Sequence, residues 1–302
     1  MFFRTHLSFN HIKYDWEPIF FTKGVFIMAT HNQVRIVGYL IKEPKIKNEG
    51  IEGEEKFIAQ IRTTRRDIEG FNDDRFADLI LFYDGTELMP QLKTLRRFDL
   101  IDVKGVFNII PTPKKHFCEH CGAENIKYNT RTSAVYPIDI ERKANFQDYY
   151  EQLEIMPNKI LEDNYREVSN QCLLLGTVVT DPELIQAKNG RTICRYAIGV
   201  DRKYYIKSQD METCDYPWVY EYGHRAQEDY DHLIKNESLI LLDGFIHNKK
   251  LTGHMTCSEC GNEFTYTDVG TQFTPYSVEY MSGYKTDEDI EREKENERRR
   301  NI

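Results

Sequence analysis

Leu175-Gly176-Thr177-Val178-Val179-Thr180-Asp181-Pro182-Glu183 closes a β-rich run that begins at Gln171. Asp181-Pro182 ends it, because proline has no N–H to give to a strand ladder. The same outline stands earlier in the chain. Gly38-x4-Glu43-Pro44 precedes Gly176-x4-Asp181-Pro182 by 138 residues. Arg65-Arg66 returns as Arg202-Lys203 after 137, and Gly105-Val106-Phe107 as Gly244-Phe245-Ile246 after 139. Cys118-x2-Cys121 returns as Cys257-x2-Cys260, also after 139. Four landmarks in one order at a nearly constant offset mark a duplicated domain, far longer than a solenoid unit.

Working outward from the second copy, Lys188-Asn189-Gly190 is a turn signal. Cys194, Tyr196, Ile198 and Val200 then alternate with Arg195, Ala197, Gly199 and Asp201, the period of a half-buried strand. Tyr216, Trp218, Tyr220 and Tyr222 alternate likewise. A short helix over Glu228–Ile234, a strand over Leu239–Ile246, a hairpin tipped by CxxC and a last strand over Phe264–Tyr280 complete the copy. The first copy gives the same order: Val34–Leu40, Phe57–Thr63, Phe76–Phe82, a helix near Thr86–Leu92, Leu100–Phe107, the CxxC tip and Ile126–Ile140. Five strands with a helix before the fourth predict an all-β chain of two tandem OB-fold Greek-key barrels, each with a long CxxC-tipped hairpin.

The expected boundaries are a first barrel over 28–143, a linker over 144–169, a second barrel over 170–282 and a charged tail over 283–302. The 302 residues accommodate two domains of ordinary size. Met1–Ile27 lack the layout of a signal peptide. Lys23-Gly24-Val25 can be encoded by AAA-GGA-GTN, a bacterial ribosome-binding sequence a few nucleotides before Met28. Translation is therefore expected to start at Met28; the alternative is a short disordered extension. No apolar run is long enough to cross a bilayer, so no membrane partner is expected. Seven cysteines, four of them in CxxC pairs, argue for metal in a reducing cytoplasm rather than a disulfide framework. The net charge of −9 does not exclude nucleic acid, because acid is concentrated in the linker while the hairpins and arginine pairs are locally basic.

Leu175 to Glu183, Asn189-Gly190 and Tyr196-Ala197-Ile198-Gly199-Val200-Asp201-Arg202-Lys203-Tyr204 together resemble the bacterial single-stranded-DNA-binding protein family. The likeness continues through Trp218, Tyr222-Gly223 and Ser238 to Gly244, and runs more loosely through Gly38, Glu43-Pro44, Arg65-Arg66, Phe76, Phe82 and Gly105. It implies an OB-fold, sequence-tolerant binding of single-stranded DNA and no catalysis. Tyr204, Trp218 and Tyr222 fall where family members carry stacking aromatics, with Phe76 and Phe82 read as first-copy counterparts. The family's acidic, Phe-ended tail is replaced here by Glu297-Arg298-Arg299-Arg300-Asn301-Ile302, which puts recruitment of replication or recombination proteins by that tip in doubt. Duplication and knuckles suggest a divergent form carried by a phage, plasmid or integrative element.

The residues support the same chemistry. Single strands are gripped by cationic grooves and by aromatic faces that accept any base. Arg65, Arg66, Arg202 and Lys203 end strands beside loops, and Lys114, Lys115, Lys249 and Lys250 lie on the arms leading to each CxxC. These are the candidate phosphate contacts. Each knuckle supplies only two thiolates, whereas structural zinc takes four ligands. One Zn2+ shared by Cys118, Cys121, Cys257 and Cys260 is expected, stapling the barrels together; the alternative is one site per repeat completed by His116 or His120 and by His254. No phosphate-cradling glycine loop, carboxylate cluster or nucleophile–base pair is readable, so no enzyme is expected. The expected role is coating of single-stranded DNA in replication, recombination or transfer, as a covalent pseudo-dimer that pairs again to a homodimer with four OB-folds. The alternatives are a protein-binding scaffold of a primosome or initiation complex, and an RNA-binding OB protein.

Overall fold

A computed structural model describes residues 30–66, 75–128, 130–146, 155–187, 190–202 and 214–300. The extension up to Ile27 and the start site at Met28 lie outside them.

The first copy contributes β1 (His31–Leu40), β2 (Lys45–Lys47), β3 (Lys56–Thr64), β4 (Phe76–Tyr83), the one-turn helix α1 (Met89–Leu92), β5 (Asp99–Pro111), β6 (Lys114–Phe117), β7 (Glu124–Lys127) and β8 (Arg131–Asn145). A connecting segment holds α2 (Ile155–Ile160) and a π-helical turn, Leu161–Tyr165. The second copy follows with β9 (Asn170–Val178), β10 (Glu183–Gln186), β11 (Thr192–Asp201), β12 (Cys214–Asp215), β13 (Trp218–Tyr222), α3 (His224–His232), β14 (Leu239–Thr256) and β15 (Glu263–Ser282). The terminal helix α4 (Asp287–Arg300) buries no residue.

Pairing closes two five-stranded barrels. In the first, β1 pairs with β5, β5 with β8, β8 with β4, β4 with β3, and β3 returns to β1. In the second, β9, β14, β15, β13 and β11 close in the same way. One parallel pair occurs in each, β4 with β8 and β13 with β15, as the Greek-key path requires. The alternating residues of the sequence point inward: Cys194, Tyr196 and Ile198 are fully buried, as are Phe57 and Ile61.

The duplicated glycines mark close backbone approaches. A Cβ on Gly38 would lie 2.2 Å from the Arg62 carbonyl oxygen, and one on Gly176 2.5 Å from that of Gly199. Gly105 and Gly244 sit opposite Pro137 and Pro275, each next to a bulge where the strand bends from barrel into arm.

The barrels are joined edge to edge. β1 and β9 run antiparallel over six residue pairs, from His31 opposite Leu175 to Ile36 opposite Asn170. Val34 faces Cys172, its own counterpart 138 residues on, so a pseudo-twofold axis passes between them. The connecting segment packs on the first barrel: Leu161 is fully buried with Val37, Tyr39, Phe98 and Leu100, and the Ser169 hydroxyl donates to the Val37 carbonyl. α3 begins at His224, four residues before the helix read from the sequence, just after Gly223, whose φ of 78° suits glycine at the turn.

Candidate nucleic-acid interface and metal centre

The arms rise from the bulged glycines and lean together. β14 and β15 stay paired to their tip, from Gly244 to Thr256. The first arm breaks at Thr112-Pro113 and resumes as the β6–β7 hairpin. Its inward residues His116, Lys114 and Lys127 meet the second arm. The His116 and Tyr266 ring centroids lie 4.1 Å apart, Lys114 pairs with Asp268 at 2.6 Å, and Lys127 donates to the Tyr266 hydroxyl at 2.8 Å.

At the tips the two knuckles are built alike. Cys118 N–H donates to the Ala123 carbonyl and Gly122 N–H to that of Cys118; Cys257 N–H donates to Asn262 and Gly261 N–H to Cys257. Gly122 and Gly261 hold positive φ of 73° and 71°. All four sulfurs lie within 4.8 Å of one another. Cys118 Sγ is 3.7 Å from Cys260 Sγ, and Cys121 Sγ is 3.6 Å from Cys257 Sγ. A zinc ion bonded at about 2.3 Å to each of four tetrahedral sulfurs would set them about 3.8 Å apart. The donor set therefore fits a tetrahedral thiophilic ion. No histidine nitrogen belongs to this cluster among the described residues; His120 instead reaches the Glu263 carbonyl oxygen and His254 the Thr265 hydroxyl.

The surroundings favour negative sulfur at Cys257. Backbone N–H groups of Cys260 and Glu259, with the Asn125 amide, draw Cys257 down to about 6. Against the pull of the Ala123 N–H, desolvation and the neighbouring thiols push Cys121 up to about 12. The opposite directions belong to four sulfurs crowded too closely to ionise together without a cation. Asn125 also bridges the halves, accepting from the Ser258 N–H at 2.9 Å.

The barrels' outer faces differ. Strand register places Phe82 opposite Ile58 in the first barrel and Tyr220 opposite Arg195 in the second. Those positions correspond, since Leu81 and Val219 make the single parallel contacts to Val135 and Phe273. Ile80 then matches Trp218, Asp84 matches Tyr222, Asp78 matches Tyr216, and Phe76 matches Cys214. Phe82 is thus the counterpart of Tyr220, a residue the sequence reading did not single out. In the second barrel Tyr216, Trp218, Tyr220 and Tyr222 are all half-buried on the outer side. The Arg195 guanidinium lies 5.0 Å from the Trp218 ring centroid and that of Arg191 4.5 Å from the Tyr222 ring.

Residues 169–272 match the sequence model of the Single-strand binding protein family. The second barrel thus matches as a single-strand binding domain. The crystal structure of the wild-type single-stranded DNA binding protein from Thermus aquaticus aligns with a TM-score of 0.54 at 14% identity, over 84% of this chain and 94% of that one. A deletion mutant of the Thermus aquaticus protein aligns at 0.53 and 15% identity, over 83% and 95%. At such identity the likeness is one of fold, and its coverage takes in both barrels. No curated protein matches the sequence significantly.

The remaining candidate cations have other neighbours. Arg202, at the end of β11 in the single-strand binding domain, forms a two-point pair with Asp215 at 2.7 and 3.2 Å and donates to the Ile109 carbonyl of the first barrel. Its side chain is 9% exposed and that of Asp215 1%. Asp215 also accepts from the Ile109 N–H at 3.1 Å. Arg65 and Arg66 reach the opposite way: their guanidinium carbons lie 4.3 Å from the Phe245 ring centroid and 3.8 Å from that of Tyr276, and Arg66 pairs with Asp243. Arg65, Arg66 and Arg202 thus sit in the contact between barrels. Lys115 pairs with Glu124 and stays exposed. Lys203 and Tyr204 lie outside the described residues, as do the side chains of Lys249 and Lys250.

Two acids lie inside the single-strand binding domain, Glu221 on β13 and Asp229 on the buried side of α3. Burial pushes Glu221 up to about 7. Burial likewise raises Asp229 to about 6, against hydrogen bonds from the Tyr280 and Tyr196 hydroxyls at 2.7 and 2.8 Å. A carboxyl raised in the folded state binds its proton more tightly there than when unfolded. Its burial therefore costs stability above about pH 7, and the cost disappears as pH falls toward 4.5. Glu221→Gln is expected to stabilise the protein by about 1–3 kcal/mol at pH 8, with the gain vanishing near pH 4.5. Urea melts of both proteins across that range check this; a gain independent of pH would refute the assignment.

Proposed function

We propose that this chain binds single-stranded DNA without sequence preference, through the outer face of its single-strand binding domain, and serves to coat DNA in replication, recombination or transfer. The observation that carries this reading is the aromatic row Tyr216, Trp218, Tyr220 and Tyr222 under Arg191 and Arg195, on the barrel that matches the family. Flat rings give each base a face to stack on, and guanidinium groups at the rim neutralise phosphates. Stacking tolerates every base, which suits coating rather than sequence readout. Cys118, Cys121, Cys257 and Cys260 hold one zinc ion in this proposal. The metal would supply structural cross-linking, fixing the two arms as one projection beside the barrels. The domain boundaries proposed are the two closed barrels with the connecting segment belonging to the first.

Titration with oligo-dT, followed by Trp218 emission, tests the reading. Quenching should be strong, and log affinity should fall linearly with log salt concentration. Absence of quenching at low salt, with no mobility shift of labelled oligo-dT, would overturn it. Competition with poly-U distinguishes a preference for RNA.

A further inference from the structure

The duplication suggests two equal binding sites, but the outer faces are unlike. Resting on the nucleic-acid reading above, we infer that the barrels divide the work: the single-strand binding domain holds the strand tightly, while the matching face of the first barrel is structural. Position for position, Tyr216, Trp218, Tyr220 and Tyr222 are replaced by Asp78, Ile80, Phe82 and Asp84. Three of four stacking rings are lost; Asp78 sets a carboxylate where phosphate would pass, while Asp84 is hydrogen-bonded to the buried Tyr136. One cation on that face is committed: Arg62 binds Asp78 through two hydrogen bonds of 2.7 and 3.0 Å. Opposite the central ring, Ile58 replaces Arg195.

The connecting segment adds a second, independent difference. It lies against the outer side of β1 in the first barrel, where Val37 and Tyr39 are 1% and 2% exposed. The Tyr39 hydroxyl donates to Asn158 at 2.8 Å. Arg75, beside Phe76, is 8% exposed and paired with Glu162 of the segment. The Thr64 N–H donates to the Ser169 hydroxyl. Leu175 and Thr177, the counterparts of Val37 and Tyr39, remain half-exposed. One barrel therefore offers its face to solvent, and the other has part of its face roofed by the chain itself.

The test uses the full chain and the anisotropy of labelled oligo-dT at low and moderate salt. Trp218→Ala and Tyr220→Ala should each weaken binding about tenfold to hundredfold. Ile80→Ser and Phe82→Leu, the latter conservative because Phe82 also packs on the core, should stay within about twofold of the parent. Circular dichroism confirms that each variant is folded. The unaltered protein provides a check that needs no substitution: an oligomer of about ten nucleotides, short enough for one OB-fold, should bind tightly at one per chain. Two equivalent sites per chain, or equal losses from both sets of variants, would overturn the division of labour while leaving nucleic-acid binding intact. A parent protein that binds no oligo-dT would instead sink the nucleic-acid reading, and the division with it.

Discussion

Cys257→Ser is expected to empty the metal centre of the whole chain. Metal analysis of the unaltered protein should give one zinc per chain, and any single cysteine-to-serine change at the four tip positions should bring it close to zero. The reason is the crossed geometry: Cys118 lies against Cys260 and Cys121 against Cys257, so all four sulfurs would belong to one shared polyhedron. Separate sites in each repeat would retain half the metal, and that result would defeat the shared centre. Structural zinc contributes on the order of 10 kcal/mol to small modules that fold around it. Here the loss should fall on the arms, whose contact near the tip otherwise rests on the small cluster of Cys118, Cys257 and Phe264 and on polar bridges such as Asn125 to Ser258. Amide exchange should accelerate strongly over 114–127 and 251–266 on chelation, while the barrel strands stay protected.

The second large effect concerns the contact between barrels. Arg202→Met should destabilise the protein by about 3–5 kcal/mol, because it strands Asp215 as a buried charge without its partner. Asp215→Asn on top of it should restore part of the loss, since the amide keeps an acceptor for the Ile109 N–H without the charge. Oligo-dT affinity of the folded fraction should change by less than about twofold, as the guanidinium faces Asp215 and Ile109 rather than solvent. Chemical denaturation read together with binding separates the outcomes. A loss of affinity with unchanged stability would return Arg202 to the phosphate-binding role suggested by the sequence.

The barrels and their order were legible because both signals are local. Alternation along Cys194 to Val200 names the inward face, and Gly38, Gly176, Gly105 and Gly244 mark places where no Cβ fits. The thiol cluster was legible as one of two options, since two thiolates per knuckle need either a second knuckle or histidines, and the geometry gathers the four sulfurs. The outer faces were harder to read. Phe76 and Phe82 attracted attention as aromatics, yet the repeat offset of 138 already carries Phe82 onto Tyr220 and Phe76 onto Cys214. Arg202 looked like an exposed strand-end cation because its partner, Asp215, and its second acceptor, Ile109, lie 13 and 93 residues away. No period in the sequence reports contacts of that kind. β2 and β10 were also missed, being strands of three and four residues with only two edge positions half-covered.

The ladder between β1 and β9 carries a last consequence. Two separate subunits joined along such an edge would part on dilution, by mass action, and each substitution would appear on both sides of the axis. Within one polypeptide neither constraint applies. The partnership survives at any concentration, and Val34 can face a cysteine instead of another valine. Fusion thus freed each half to drift on its own, so unlike halves are a natural product of having been tied together.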